Sequence, residues 1–422
     1  MNFSNTTAWA ILGLLVLRWV VQLWLDRLNL ANVRANAATV PDAFKNIMDE
    51  ATYRKSVAYT LAKGRLRGFQ LSYDFVVLLI VLLSGLLPHV FEAFTRAWGA
   101  SAWAGAAFLF IVTIALAIPG LPLDWYEQFH LEERFGFNTT TPKLWCLDRV
   151  KGLLLGLILG YPLIVLVLKF VEWTGSNWWL WAWGSLMAFQ LLMLVLAPII
   201  IMPLFNKFTP LPEGSLRERL LTLGQKTGFH SKTIQVMDGS KRSRHSNAFF
   251  TGFGQFRKIV LFDTLVQQLS EVELEAVLAH EIGHYKKRHI PKMLLASAAG
   301  SLVGFYALSW LARQPWFLEA FGFAPGQLSP AVLLFTLLSG AVTFWLSPLA
   351  HFWSRRYEYQ ADRYAAETMG EPLSLTNALR KLNEKNLSNL TPHPLYSGFY
   401  YSHPTLLERE RALKSLSNSA PA

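Results

Sequence analysis

The 422-residue sequence predicts a mainly α, polytopic membrane protein that carries a small α+β domain on one side of the bilayer. Three observations lead there. Hydrophobic residues make up 52% of the chain and charged ones 16%, with a mean hydropathy of +0.28. That is more apolar surface than a water-soluble globule can hide. Seven stretches approach the roughly 20 apolar residues that a crossing needs. Lys and Arg are also concentrated in every second loop, which is the pattern that fixes orientation in a membrane.

The seven stretches are residues 8–25, 75–91, 102–121, 153–170, 178–202, 292–311 and 331–352. The fifth is long enough to tilt. In the sixth, Ser297, Gly300, Ser301 and Gly304 dilute the apolar run and let neighbouring helices approach closely. The loop after the first span carries Arg27, Arg34, Lys45, Arg54, Lys55, Lys63, Arg65 and Arg67, whereas the next holds only Arg96. The alternation continues along the chain and places the N-terminus outside and the C-terminus in the cytoplasm. No Lys or Arg precedes Arg18 and no small-residue cleavage site follows, so the first run reads as an uncleaved anchor. The last residues hold no prenylation or retrieval signal, which favours a bacterial inner membrane over endoplasmic reticulum.

The net charge of +11 is accounted for by the flanks of the spans, so no nucleic-acid partner is expected. The single cysteine, Cys146, excludes an intrachain disulfide framework and is expected to pack rather than react. Four blocks result. Residues 1–205 hold five spans with cytoplasmic loops, and 206–290 form the first part of a cytoplasmic domain. Residues 291–353 hold spans six and seven, and 354–422 complete the domain.

Within the first polar block, 216–225 reads as an amphipathic helix closed by Gly228. Residues 233–237 alternate like a strand and end in the turn Asp238-Gly239, and 247–250 and 258–262 read as two more strands joined through 251–255. Ser270 with Glu273 three residues on is a capping box for a helix running to about Arg288.

That helix carries His280, Glu281 and His284, an H-E-x-x-H. Histidines at i and i+4 share one helical face, with Cβ atoms roughly 5–6 Å apart, and can grip one zinc ion together. Glu281 can then reach a water in the open coordination position and take its proton as the water attacks a carbonyl. A metzincin would continue with glycine and histidine where this chain has Lys287 and Ile290, and His289 is one residue short. The third ligand therefore comes from elsewhere. Glu358 is the candidate, in a stretch of helical composition that continues from the last span. Asp362 falls one turn further on the same face, placed to hydrogen-bond a ligand histidine and fix its tautomer. Ala361, Ala365 and Ala366 suit close packing against another helix. His89, His130, His230, His351 and His393 have no spacing that suggests a ligand, and read as surface or interfacial residues.

These residues resemble the type I CAAX prenyl endopeptidases, integral-membrane zinc proteases of the gluzincin group. Glu132-Glu133-Arg134-Phe135-Gly136-Phe137-Asn138 is similar to the family's E-E-x-x-G-F-N stretch, and Ser246-Asn247-Ala248-Phe249 to its S-N-A-[FY] strand. Residues 258–264 match the strand before the catalytic helix, and Tyr401-Ser402-His403-Pro404 with Leu407-Glu408-Arg409 match the tail. The likeness runs through essentially the whole chain. It implies one zinc per chain held by His280, His284 and Glu358, with Glu281 as general base and Asp362 as a supporting acid. A carboxylate beside histidine and zinc should stay ionised, so Asp362 reads first as an orienting partner. Asn247 and Ala248 would lie on an edge strand that pairs with the substrate backbone. His403 would donate to the developing oxyanion, or simply start a helix before Pro404. Arg409 would brace an acidic residue of the site, or be one charge of a surface helix. Glu132 and Asn138 would shape the cytoplasmic mouth, or serve as surface charge and helix cap.

The resemblance further implies spans that enclose a chamber and a monomer acting on peptide or protein substrates, in the family's case prenylated C-a-a-X proteins. A general membrane-protein quality-control protease and a catalytically silent scaffold are the alternatives, and the intact Glu281 speaks against silence.

Overall fold

The computed structural model describes residues 6–45, 48–229, 233–251 and 258–417. Helix starts follow the caps written in the sequence. Asp49 accepts from the Thr52 N–H at the head of Glu50–Leu83, Ser101 from Ala104 at Ala102–Ala117, and Thr141 from Leu144 at Pro142–Leu155, where Pro142 takes the first helical turn.

Among the described residues, six helical runs are long and apolar enough to cross a bilayer: Thr6–Ala35, Glu50–Leu83, Ala102–Phe135, Pro142–Phe205, His289–Leu311 and Leu328–Met369. The 64-residue run Pro142–Phe205 doubles back at Gly175–Asn177, where Gly175 takes φ 55°, and its two arms pack on each other. Divided there, the run supplies the fourth and fifth crossings, and the total of seven depends on that division. The second crossing departs from expectation. It does not run on to Phe91 but ends at Leu83, because Gly85 turns left-handed at φ 73° and a separate helix, Leu86–Trp98, begins with Leu87 and Pro88 buried.

The spans touch in a circuit. The first packs on the second and the seventh, the third on the fourth, the fourth on the fifth, the fifth on the sixth, and the sixth on the seventh. The second closes the circuit against the Glu127–Glu132 end of the third. The third also touches the seventh, and side chains from the first, second, third, fourth and seventh share one buried core, although no more than 28% of any span's most apolar stretch is buried. Cys146, expected to pack, is exposed.

The first two helices are 30 and 34 residues long, about 45 and 51 Å at 1.5 Å per residue, well beyond the hydrocarbon thickness of about 30 Å. The extra length has a role visible in the packing. Val33, Phe44, Tyr53 and Val57 join Leu220, Leu223, Leu261, Leu274, Leu278 and Ile282 in one buried core. The soluble core therefore draws on a stretch near the N-terminus as well as on the two polar blocks.

That core packs against a four-stranded sheet in the order β1-β2-β4-β3, with β1 Phe208–Pro210, β2 Thr233–Met237, β3 Ala248–Thr251 and β4 Lys258–Phe262. β1 is antiparallel to β2, β2 parallel to β4, and β3 antiparallel to β4, pairing Ala248 with Leu261. β3 is thus an edge strand. The connection predicted through 251–255 lies largely outside the described residues. Glu271–Lys286, the motif helix, starts with both halves of the capping box formed by Ser270 and Glu273.

Candidate metal centre

Two helices build the site. The motif helix lies along Ser347–Met369, which continues from the seventh span and carries Glu358. Contact is close because the facing residues are small. Gly283 meets Ala361 so tightly that a Cβ added at Gly283 would sit 3.0 Å from the Ala361 Cα. Ala361 and Ala365 are fully buried.

This approach brings His280, His284 and Glu358 together, one ligand atom from each lying within 4.8 Å of the others. The Nε2 atoms of the two histidines are 3.2 Å apart. Glu358 Oε2 is 3.5 Å from His280 Nε2, and Oε1 is 3.3 Å from His284 Nε2. Glu358 is 5% exposed, and its Oε2 is buried with no hydrogen-bond partner among the described residues. A buried carboxylate oxygen without a donor is costly to leave unmet. Two imidazole nitrogens and such a carboxylate facing one point form a donor set that fits a divalent cation.

His280 is held from behind by charge. Its Nδ1 is 2.8 Å from Asp362 Oδ1. Asp362 in turn receives a two-pronged ion pair from Arg409, whose Nε donates to Oδ2 at 2.8 Å while Nη2 donates to Oδ1. Asp362 is 1% exposed and Arg409 9%, so this arginine is no surface-helix charge. Burial opposes protonation of His280, but the neighbouring Asp362 and Glu358 carboxylates outweigh it and hold the imidazole up at about 9. Burial pushes the Glu281 carboxyl up from the ordinary range, while His280 and His284 pull it back.

His284 is held differently. The motif helix ends at Lys286, Arg288 adopts the left-handed conformation at φ 55°, and His289 opens the sixth span. That conformation is uncommon for a residue with a Cβ, and it turns His289 back beneath His284. The two Nδ1 atoms are 3.0 Å apart, and His289 Nε2 lies 2.9 Å from Gln360 Oε1. No spacing pattern signalled this pair, because His289 matched no ligand offset.

The remaining candidates are placed as follows. His403 Nε2 lies 3.4 Å from Glu358 Oε1, with an exposed side chain and its Nδ1 3.0 Å from Ser402 Oγ. Asn247 is exposed just before β3, where its carbonyl accepts from the Phe262 N–H and its side chain accepts from the Ala248 N–H. Glu132 is buried and accepts from Tyr59 at 2.7 Å and Lys63 at 3.2 Å, with His245 Nε2 at 3.4 Å. His245 stacks on Phe137 at 4.0 Å, so this knot ties the foot of β3 to the second and third spans. Asn138 accepts from the Thr140 N–H and donates to Glu133.

Comparison with known proteins agrees with this geometry. Residues 29–207 match the family described as CAAX prenyl protease N-terminal, five membrane helices, and residues 210–417 match peptidase family M48. The chain is 36% identical to CAAX prenyl protease 1 of Saccharomyces cerevisiae over 404 residues, covering 90% of this chain and 89% of that one. It is 35% identical to the Oryza sativa homologue, covering 96% of both, and 31% identical to the human homologue, covering 96% of this chain and 95% of that one. The crystal structure of S. mikatae Ste24p superposes with a TM-score of 0.88 at 33% identity, covering 96% of this chain and 98% of that one. A multi-pass membrane protein fits all of these. The expected bacterial inner membrane does not, because these relatives are eukaryotic. A missing retrieval signal was a poor guide, since spans alone keep a protein in its bilayer.

Proposed function

Since the chain belongs to the CAAX prenyl protease 1 family of M48 peptidases, we propose that it is a zinc endopeptidase hydrolysing a peptide bond near the C-terminus of prenylated C-a-a-X proteins. The observation that carries this reading is the convergence of His280, His284 and Glu358 from two helices. These three would hold the ion, and two imidazoles with one carboxylate suit zinc. When bound, the ion would supply Lewis acidity toward a water and the scissile carbonyl.

The chain's own residues do the rest. The outer edge of β3 at Asn247 and Ala248 aligns an extended substrate by backbone hydrogen bonds. Glu281, beside both histidines on the motif helix, accepts the proton of the attacking water and passes it to the leaving amine. Asp362 keeps the His280 ring in place and Arg409 keeps Asp362 ionised. His403, near Glu358, is within reach to donate to the developing oxyanion. The metal site lies at the cytoplasmic end of the spans, where a lipid-attached substrate arrives by lateral movement, and a monomer suffices.

Purified protein and Glu281→Ala, each given matched farnesylated and bare peptides, test the reading. The wild type should cleave the farnesylated peptide preferentially and the variant neither. Equal cleavage of both peptides would point to a general membrane protease, and cleavage by the variant would remove Glu281 from the chemistry.

A further inference from the structure

His289 and Gln360 lie outside the set of ligands and base, yet they join the ligand histidine to two other segments. His289 is 1% exposed, at the first residue of the sixth span. Its ring stacks on Tyr357 at 4.2 Å and 15° between planes. Gln360 sits two residues past Glu358 on the other helix. We propose that His289, backed by Gln360, is a positioning residue that fixes the tautomer and ring orientation of His284 for metal binding. The proposal rests on the reading of His284 as a ligand.

The proton arrangement follows from the contacts. A metal-binding nitrogen must present a lone pair, and the His284 nitrogen that faces His280 and Glu358 is Nε2. The single ring proton of neutral His284 is therefore on Nδ1. Across 3.0 Å from it stands His289 Nδ1, which must then accept. That leaves the His289 proton on Nε2, pointing at Gln360 Oε1 2.9 Å away, an oxygen that can only accept. Each donor meets one acceptor with none left over. A histidine ligand almost always donates its second ring N–H to such a partner, and removing the partner costs about 10–100-fold in metal affinity.

The His289 ring does two things at once, stacking and bonding, and two substitutions separate them. His289→Phe keeps a ring against Tyr357 but has no acceptor. His289→Asn loses the ring but places Oδ1 close to where Nδ1 was. Zn2+ affinity of the purified full-length chain, read by competition with a chromophoric chelator, should fall about 10–100-fold in the Phe variant and recover most of that in Asn. Wild-type affinity in the Phe variant, or an equal loss in both, would overturn the proposal. His284→Ala is the control. If it binds Zn2+ as the wild type does, the ligand assignment itself fails, whereas a loss there with none in His289→Phe sinks the positioning role alone. Should the His289 variants not fold, Gln360 decides. Gln360→Glu, a stronger acceptor, should bind Zn2+ at least as tightly as the wild type and Gln360→Met more weakly; equal affinities in those two would overturn the proposal.

Discussion

His280 and His284 are one turn apart on the same helix, yet their surroundings hold them by opposite means. His280 is backed by an ionised carboxylate, Asp362, which is clamped by Arg409 from the C-terminal helix Leu406–Ser417. His284 is backed by neutral His289 and Gln360, from the first residue of the sixth span and from the helix below the seventh. The charged side raises the basicity of its histidine and depends on three buried ionic groups staying together. The neutral side supplies direction at little electrostatic cost and ties the metal to the membrane spans. Losing a partner should therefore destabilise the protein on the His280 side and chiefly misdirect a ring on the other.

The largest effect is expected from Asp362→Ala. It strands Arg409 in the interior, with Glu358 at 3.8 Å as its remaining ion-pair partner among the described residues and His280 Nδ1 at 3.4 Å. Breaking a buried ion pair from one side costs about 3–5 kcal/mol. Thermal unfolding of the metal-free protein should show it, and the matching loss for Gln360→Met should be much smaller. Equal losses would erase the contrast between the two sides.

Next is pH. In the metal-free chain His280 holds its proton up to about pH 9, so binding a cation at neutral pH must displace that proton. Zn2+ affinity should then rise with pH, by about tenfold per unit for one proton, and level off near pH 9. Calorimetry in buffers of different ionisation enthalpy would report the released proton. Asp362→Asn should weaken the dependence by removing the main partner that sustains the charge.

Gly283→Ala tests what the two sides share. The new methyl would meet backbone atoms of Ala361 at 3.0 and 3.1 Å, and neither can step aside as a side chain could. Overpacking costs about 1–3 kcal/mol, partly offset by the gain of up to about 1 kcal/mol in helix propensity. The two helices should part slightly, lowering stability and Zn2+ affinity together. Smallest is Ser270→Ala, which removes the cap of the motif helix for about 1 kcal/mol and should leave affinity nearly unchanged.

Local patterns in the sequence were faithful guides. The capping box at Ser270 formed, β2 and β4 lie where the sequence placed strands, and the one-turn spacing of Glu358 and Asp362 gave the contact with His280. What stayed hidden depends on contacts between distant segments. Arg409 reads equally well as a surface charge until its helix is docked, because 47 residues separate it from Asp362. His289 needed the left-handed turn at Arg288, which no residue preference announces. β1 is three residues long and exists only through pairing with β2. The burial of Val33, Phe44, Tyr53 and Val57 in the core around the motif helix was masked by the basic residues between them. Glu132, a surface charge by its neighbours in sequence, is buried by Tyr59 and His245 from elsewhere.

The central claim is a single metal ion held between the motif helix and Glu358. Its most direct test is the anomalous difference map of crystals of the zinc-loaded protein, collected above and below the zinc absorption edge. The account predicts one peak per chain, within coordinating distance of His280 Nε2, His284 Nε2 and a Glu358 carboxylate oxygen. A peak elsewhere, or a peak here that persists undiminished in Glu358→Ala, would contradict it.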